Sequence, residues 1–503
     1  MVGRDRLGHR GGHVTVPAVI LAPDQGTTGS TAIVFDDEGQ IAGRGYREFE
    51  QHFPRPGWVE HDATEIWDVT KAVGEQALAD AGIAGADLEA IGITNQRETV
   101  VAWDPDSGEP VHRALVWQDR RTSGRCRELR EAGHEPLIRQ RTGLVLDPYF
   151  SGTKMAWLAE NVEGASGARF GTIDAWLTLK LTGRAVTDHT NASRTLLFDI
   201  HQRRWDPELC ELLGIDLDQL PEPVGSAEVI GTTTVFGGDV PVAGIAGDQQ
   251  AALFGQAAHR PGEGKNTYGT GSFVLLNSGD EAPTAPDGLL ATCACGPGGA
   301  PAYALEASIF VTGAAVQWLR DGLGVISSAQ ENEELARSLE SNDGVYFVPA
   351  LPGLGSPHWD PHARGTIVGL TRGSSAAHLA RAALEAMAYQ TVDAVRAQEQ
   401  AAGESLPELK ADGGAVGNDW LMQFQADVLG VPVVVPEISE TTVLGAAYLA
   451  GVATGVWDAG EIGEMWRERD RWEPQMGEDE RSSLLERWHE ALGRSREWAS
   501  DED

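Results

Sequence analysis

Lysine is scarce in this sequence of 503 residues. Aspartate and glutamate total 75 and the formal net charge is −36, whereas the lysines are only Lys71, Lys154, Lys180, Lys265 and Lys410. A surface with this excess of negative charge repels nucleic acids and anionic membranes, so neither is expected as a partner. An acidic, lysine-poor surface is typical of proteins that work in concentrated salt, where charge repulsion is screened. We therefore expect a halophilic protein; the alternative is an ordinary acidic protein.

Cysteine is also rare, and its spacing excludes two kinds of site. The four cysteines form neither a Cys-x-x-Cys pair nor a zinc-ligand pattern: Cys126, Cys210, Cys293 and Cys295. We interpret them as buried thiols of a protein in a reducing, cytoplasmic compartment.

Long apolar runs are absent. No stretch approaches 18 residues, so no membrane insertion is expected. Residues 1–17 contain Arg4, Arg6 and Arg10 among Gly and His, and we interpret them as a disordered tail. Hydrophobic residues make up 41% of the chain, which excludes a disordered protein, and the length is sufficient for several domains.

A turn rich in Gly and Thr occurs twice between strand-like segments. Residues 24–30 separate the predicted strands 19–22 and 31–35, and residues 266–272 precede the predicted strand 273–277. The repetition indicates two related halves with a boundary near residue 255, so that the domains are 18–255 and 256–503. Helical and strand patterns alternate, which predicts the α/β class. An amphipathic helix is expected near the C-terminus, around Trp488 and Leu492.

These turns suggest a phosphate site. They match neither the P-loop nor the Rossmann pattern, but a tight Gly/Thr turn leaves backbone N–H groups free to bind phosphate oxygens. One such turn would be weak evidence, because it also simply closes a hairpin. A third glycine element at residues 411–418, between a strand-like and a helical segment, strengthens the hypothesis.

Charged side chains follow the predicted strands. Asp24 opens the first turn, where a carboxylate either holds Mg²⁺ against phosphates or caps the hairpin. Asp248 directly follows a strand and is either accessible to substrate or an N-cap. Arg97 and Glu98 end another strand, as a surface ion pair or as ligands for a polyol.

Together these features resemble the glycerol kinases of the FGGY carbohydrate kinase family. The resemblance extends from about residue 18 to about residue 465. The segments that carry it are 24–28, 56–62, 92–99, 142–154, 190–195, 244–255, 265–271, 317–321, 365–385 and 420–425.

The resemblance implies a fold, an activity and a site. The fold is two actin/Hsp70/hexokinase-like (ribonuclease H-like) domains flanking a nucleotide cleft, and the activity is Mg²⁺- and ATP-dependent phosphorylation of glycerol with Asp248 as the general base. The implied glycerol-binding residues are Arg97, Glu98, Tyr149, Asp248 and Gln249, with Trp117 and Phe273 as apolar walls. The implied ATP- or ADP-binding residues are Thr27, Thr28, Gly29, Thr270, Gly313, Gln317, Gly414 and Asn418, with Asp24 near Mg²⁺, through water.

Two alternatives to glycerol kinase stay open: an FGGY kinase for another small polyol or ketose, and a non-catalytic actin- or Hsp70-like ATP-binding module. The resemblance also implies a homo-oligomer, a dimer or tetramer. Two positions depart from the family pattern. Thr31 stands where a basic residue is common, and Pro23 lies where a strand needs an N–H donor, so we expect a local distortion there. The loop 232–240 lacks Lys, Arg and His, so inhibition by fructose 1,6-bisphosphate is not expected.

Overall fold

The structure, a computed structural model, describes residues 19–500. The tail predicted for residues 1–17 lies outside the described residues. Between residues 19 and 500, no helix has both the length and the apolar character needed to cross a membrane. The four cysteines are free and buried, as predicted.

The first half of the chain is built from a six-stranded sheet, a four-stranded sheet, two pairs of strands and surrounding helices. Its strands are β1 (Val19–Gln25), β2 (Gly29–Phe35), β3 (Ile41–Glu48), β4 (Glu60–His61), β5 (Leu88–Asn95), β6 (Val100–Trp103), β7 (Ala114–Leu115), β8 (Arg169–Thr172), β9 (Val186–Asp188), β10 (Phe198–Asp199), β11 (Arg204–Trp205), β12 (Glu222–Val224), β13 (Ala227–Thr233) and β14 (Val240–Gly247). Its helices are α1 (Ala63–Ala81), α2 (Ser123–Glu131), α3 (Glu135–Thr142), α4 (Ser151–Asn161), α5 (Ile173–Thr182), α6 (His189–Ala192), α7 (Pro207–Leu213) and α8 (Asp248–Gly255).

The second half contains a seven-stranded sheet and one small pair of strands. Its strands are β15 (Gly264–Tyr268), β16 (Ser272–Gly279), β17 (Leu290–Cys295), β18 (Pro301–Ile309), β19 (Tyr346–Val348), β20 (Thr366–Val368), β21 (Leu409–Gly413), β22 (Val433–Pro436) and β23 (Glu468–Trp472). Its helices are α9 (Gly313–Gln317), α10 (Ala329–Arg337), α11 (Ala376–Ala402), α12 (Asp419–Leu429), α13 (Thr441–Thr454), α14 (Ala459–Met465) and α15 (Glu478–Ser495). The last of these is the expected amphipathic helix, with Trp488 and Leu492 buried.

The two large sheets have corresponding topologies. Their strand orders are β13-β14-β5-β1-β2-β3 and β17-β18-β16-β15-β21-β22-β23. In each, a hairpin (β1-β2 or β15-β16) is extended on one side by an antiparallel strand (β3 or β18). On the other side follow two parallel strands, β5 and β14 or β21 and β22. This correspondence confirms the α/β class and the two related halves predicted from the repeated turn.

Both predicted turns are present as tight hairpin turns. In the first, the N–H of Gly26 donates to the carbonyl of Gly29 (3.0 Å); in the second, that of Gly269 donates to Gly271 (2.8 Å). At Pro23 the ladder between β1 and β5 lacks a pair, because a prolyl nitrogen has no hydrogen to donate. The register is the same at Leu21 and at Asp24, and the register shift between these strands lies between Val19 and Ile20, so the expected distortion is limited to this gap.

Helices α8 and α13 join the halves by crossing at close range. Helix α8 leaves the end of β14 and contacts β15, β16 and β17, whereas α13, from the second half, packs against β1, β5 and β14. A Cβ atom at Gly255 would lie 2.0 Å from the carbonyl oxygen of Thr441, and one at Gly445 would lie 1.9 Å from that of Ala251. Glycine at both positions therefore lets the two backbones approach directly.

Candidate active site

The candidate site begins where three strands of the first sheet end together. Strands β1, β5 and β14 are parallel neighbours, and Asn95 pairs with both Gln25 and Gly247, the last residues of β1 and β14. Because parallel strands end at one edge of a sheet, the segments that follow them share that edge. These segments are the first glycine turn, residues 96–99 and Asp248 at the start of α8.

Arg97 contacts Asp248, and the resemblance implies that both residues are polyol ligands. Its Nε lies 3.2 Å from Oδ1 of Asp248. A Cβ at Gly247 would lie 2.8 Å from Cγ and Cδ of Arg97, so glycine makes room for the arginine. Glu98 has a φ of 63°, and a 2.8 Å bond from Thr99 N to Arg97 O closes a three-residue turn about it. Such a turn is strained, which is common where a side chain must be held in a functional direction.

Two residues that we had not assigned to the site, Arg194 and Glu306, complete a buried ion network. Arg97 bonds to Glu306 through both of its terminal nitrogens (2.6 and 3.2 Å). Arg194 bonds to Glu306 (2.9 Å) and to Glu98 (2.6 Å). All four side chains are at most 2% exposed. Since Glu306 lies on β18 and the other three in the first half, the network spans both halves.

The two glutamates of this network differ in how well their charge is compensated. Burial raises the pKa of a carboxyl group, but at Glu306 the arginines outweigh burial and hold the pKa at about 2. Glu98 receives one close bond, from Arg194, and lies 3.8 Å from Arg97. Burial therefore prevails there and raises the pKa of Glu98. Glu98 is thus the carboxylate with unused capacity to accept hydrogen bonds.

Three aromatic residues stand around this cluster. Trp117 and Tyr149 meet edge to face with ring centres 5.7 Å apart, and Arg97 lies 5.6 Å from the ring centre of Phe273. All three rings are partly exposed, whereas Arg97 is buried. They therefore line an opening with a charged floor and apolar sides, as a small polyol requires.

The first glycine turn is fixed by hydrogen bonds from Trp117 and from two glutamine side chains. The indole Nε1 of Trp117 donates to Oγ1 of Thr27 (2.9 Å), and Gln51 donates to the Thr27 carbonyl (2.8 Å). Gln96 donates to the carbonyl of Gly26 (3.1 Å), and His61 bridges Gln51 (2.8 Å) to Gln96 (3.4 Å). Burial lowers the pKa of His61 to about 4, so this bridge is neutral. Thr28 is exposed at the tip, and Gly29 begins β2.

The second turn is packed against the start of α9. The N–H of Gly313 donates to the carbonyl of Gly269 (3.1 Å), and that of Ala314 donates to Thr270 (3.0 Å). Gly413, with a φ of 90°, sits so close to Tyr268 that a Cβ would lie 2.2 Å from its carbonyl oxygen. Thr270, Gly313 and Gly414 are therefore brought together at the end of β15 and β21.

Two other expected nucleotide ligands are placed differently. Gln317 is exposed at the last position of α9. The side chain of Asn418 caps α12, with its oxygen accepting from the N–H of Leu421 (2.9 Å). Its side-chain oxygen already has a partner, so the amide nitrogen is the group left to bind a ligand.

Asp24 lies close enough to Asp248 to be affected by its charge. Burial, and then the charge of Asp248, raise the pKa of Asp24 to about 7. Burial also raises the pKa of Asp248, with Arg97 and Lys265 opposing it. Two carboxylates that destabilise each other suit a divalent cation, which typically takes one or two carboxylates plus phosphate oxygens. Among the described residues no group of three His, Cys, Asp or Glu side chains could hold a metal by itself.

The arrangement can bind an anion, hold a small polar molecule and accept a proton. Phosphate oxygens suit the N–H groups of the two turns, and a hydroxyl compound suits the opening beside Arg97 and Glu98. Asp248, between the two, is 32% exposed and its pKa is raised, as a general base needs.

Comparisons with known proteins agree with this geometry. The family models for the N-terminal and C-terminal domains of the FGGY family of carbohydrate kinases match residues 19–255 and 264–454. A glycerol kinase of Deinococcus radiodurans is 55% identical over 495 residues, 96% of this chain and 99% of that protein. One of Dechloromonas aromatica is 56% identical over 492 residues, 96% and 98% of the two chains.

Solved structures extend the comparison to the fold. The crystal structure of Plasmodium falciparum glycerol kinase with ADP has a TM-score of 0.89 and 34% identity, covering 95% of this chain and 98% of that chain. A gluconate kinase from Lactobacillus acidophilus has a TM-score of 0.86 at 23% identity, which shows the same fold. The predicted two-domain fold and the resemblance are thereby confirmed, and the chain belongs to the FGGY family of carbohydrate kinases.

Proposed function

We propose that this protein is a glycerol kinase, which transfers the γ-phosphoryl group of ATP to glycerol and releases sn-glycerol 3-phosphate and ADP. The observation that carries the proposal is Asp248, in contact with Arg97 and beside an aromatic-walled opening, at the edge that also holds the first glycine turn. Similarity to curated glycerol kinases over 96% of the chain supports glycerol as the substrate.

Asp248 is the proposed general base. It takes the proton from a terminal hydroxyl of glycerol as that oxygen bonds to the γ-phosphorus, and the bond from phosphorus to the β–γ bridging oxygen breaks to release ADP. Burial moves the pKa of Asp248 upward, toward working pH, which makes it a better base than an exposed aspartate. Phosphoryl transfer depends mainly on positioning and on charge neutralisation.

The polyol is held by complementary donors and acceptors. Arg97 donates, Glu98 accepts, and Tyr149 can do either, while Trp117 and Phe273 pack against the carbon chain. Gln249 completes this set. The similarity to glycerol kinases favours a three-carbon substrate over larger sugars.

The nucleotide is held mainly by backbone groups. Thr27, Thr28 and Gly29 from the first turn and Thr270 from the second bind the phosphates, and Gly313, Gln317, Gly414 and Asn418 lie along the rest of the ATP. Asp24 would hold Mg²⁺ through water, with Asp248 nearby. When bound, Mg²⁺ neutralises charge on the phosphate oxygens.

The surface supports a halophilic protein, and we also propose that it is cytoplasmic. Of the five lysines, Lys154, Lys265 and Lys410 are buried, and Lys71 and Lys180 are partly exposed. The exposed cations are therefore nearly all arginine, against a net charge of −36. A division of the chain near residue 255 and a homo-oligomer of two or four subunits belong to the same proposal.

Formation of ADP is the test of this function. ADP release should require both glycerol and Mg²⁺, and a panel of polyols and ketoses should show glycerol as the preferred acceptor. Asp248→Asn should lower kcat by about 10²–10⁴-fold while nucleotide affinity stays unchanged. Asp479→Asn, at an exposed position on α15, is the matched control. Turnover near wild type in Asp248→Asn would contradict the base assignment, and ADP release without glycerol would contradict the substrate.

A further inference from the structure

Lys265 is a fully buried lysine that the mechanism above does not use. It lies on β15 at 0% exposure, in the strand that leads into the second glycine turn. In the neighbouring strand β21, the residue paired with it is Lys410, at 8% exposure. The two buried lysines are thus neighbours in the sheet, and both contact helix α8 or the residues that flank it.

The two lysines meet opposite ends of α8. Lys410 donates to the carbonyls of Gln256 (2.7 Å) and Ala257 (3.2 Å), just past the C-terminal end of the helix, where a cation is favourable. Lys265 instead lies at the N-terminal end, where the helix dipole opposes a positive charge. The helix dipole therefore does not explain why a lysine lies there. The negative charges of Asp412 and Asp248 offset part of the cost of burying its positive charge.

Lys265 fixes the orientation of Gln249. Its Nζ donates to Oε1 of Gln249 (2.5 Å) and to Oγ1 of Thr267 (2.7 Å). An ammonium group has donors only, so the oxygen of the Gln249 amide must face it. The bond from Lys265 uses the oxygen of this amide, and no hydrogen bond from its nitrogen, Nε2, is found among residues 19–500, so its donors are available to a ligand.

We propose that Lys265 is a positioning residue of the polyol site: by holding Oε1 of Gln249, it turns the amide N–H groups toward a substrate hydroxyl. The inference rests on the proposed function, because it takes Gln249 as a polyol ligand. Glu98 and Asp248 accept hydrogen bonds from the hydroxyls, so a donor fixed at Gln249 serves a hydroxyl oxygen instead. The site then recognises a polyol by donors and acceptors in set positions.

A double-mutant cycle tests the coupling. In steady-state assays with purified full-length protein, Lys265→Met should raise KM for glycerol about tenfold, the effect of one lost hydrogen bond, and leave KM for ATP within about twofold. Gln249→Ala should do the same. In the Gln249→Ala background, Lys265→Met should add less than about twofold, because both changes remove one interaction.

Two further variants separate positioning from stability. Lys410→Met removes the neighbouring buried lysine and should leave KM for glycerol unchanged even if Tm falls. Gln249→Glu keeps an oxygen for Lys265 but has no N–H donor, so it should raise KM for glycerol as much as Gln249→Ala does. This variant leaves Lys265 in place and tests the orientation even if Lys265→Met does not fold.

Failure of the proposed role of Lys265 can be distinguished from failure of the proposed glycerol kinase function. Wild-type protein that neither releases ADP with glycerol nor gains Tm from it removes the proposed function and this inference together. If the wild type is active, additive effects of Lys265→Met and Gln249→Ala, an equal rise in KM for ATP, or a tolerated Gln249→Glu would each overturn the role of Lys265 alone.

Discussion

Replacing Glu306 with glutamine is expected to damage both the stability and the polyol site of this protein. The glutamate accepts two hydrogen bonds from Arg97 and one from Arg194, with all three side chains buried. Glutamine keeps the shape but loses the negative charge. Its NH₂ group would face a guanidinium, and two donors cannot form a hydrogen bond with each other. The change leaves two buried cations with Glu98 and Asp248 as their remaining carboxylate partners.

The magnitude follows from the pKa of the carboxyl group. The Glu306 pKa is about 2 against an ordinary 4.5, and at ~1.4 kcal/mol for each pKa unit the network stabilises the charged form by about 3 kcal/mol. Removing one partner of a buried ion pair typically costs about 3–5 kcal/mol. At about 2 °C per kcal/mol for a domain of roughly 250 residues, Tm should fall by about 6–10 °C.

The pH dependence has a defined sign. Because folding lowers the pKa of Glu306, its contribution to stability is present above about pH 4.5 and is lost as the pH falls toward 2. The difference in Tm between wild type and Glu306→Gln should therefore be constant near neutral pH and narrow in acid. KM for glycerol should rise as well, because Arg97 loses its main anchor.

Thermal melts from pH 7 downward and a glycerol titration measure these effects. Glu490→Gln is the control: it breaks the pair with Arg487, whose side chains are 53% and 58% exposed, and should cost less than about 1 kcal/mol. An unchanged Tm in Glu306→Gln, or a Tm difference that does not narrow in acid, would refute the assignment of Glu306 as the compensated carboxylate of the network.

Three other predictions concern the turn, the helix crossing and the surface. Trp117→Phe removes the donor to Thr27 and should raise KM for ATP about 2- to 10-fold. An unchanged KM would mean that the bond from Trp117 does not help to position the first glycine turn for ATP. Gly445→Ala forces a Cβ against the carbonyl of Ala251 and should cost about 1–3 kcal/mol in thermal melts, whereas Gly463→Ala, with open space around it, should not. Raising KCl from about 0.1 M to about 1 M, which shortens the Debye length from about 10 Å to about 3 Å, should raise Tm; full stability in dilute buffer would contradict a halophilic surface.

The fold was predictable from sequence because its strongest signals are local. Each glycine turn lies between its own two strands, so the hairpins can be located without knowing the rest of the chain. Their repetition predicted two related halves, and the matching strand orders confirm it. The crossing of α8 and α13 had no such signal, since Gly255 and Gly445 are far apart in sequence and look like ordinary helix glycines.

The site was predictable only in part, for the same reason. Arg97, Glu98 and Asp248 stand next to strand ends, where a sequence pattern can point to them. Glu306 lies within β18 and Arg194 just after α6, and each is a single charged residue among apolar or small neighbours. A charge inside an apolar strand signals a buried partner, but the sequence does not say which one, because its partners are 209 and 112 residues away.

The charges of the site also bear on how an acidic protein would bind the anionic nucleotide of the proposed reaction. Its buried cations, Arg97, Arg194 and Lys265, are each engaged by a carboxylate or an amide oxygen, so none is left over for phosphate. Burial, and then the charge of Asp248, raise the pKa of Asp24 to about 7, so these two carboxylates bring no positive charge to the site. Under the proposed function, attraction for the phosphates would come from the N–H groups of the two turns and from a divalent cation. In the proposed site, the arginines and the lysine instead hold in place the side chains that would bond to the polyol.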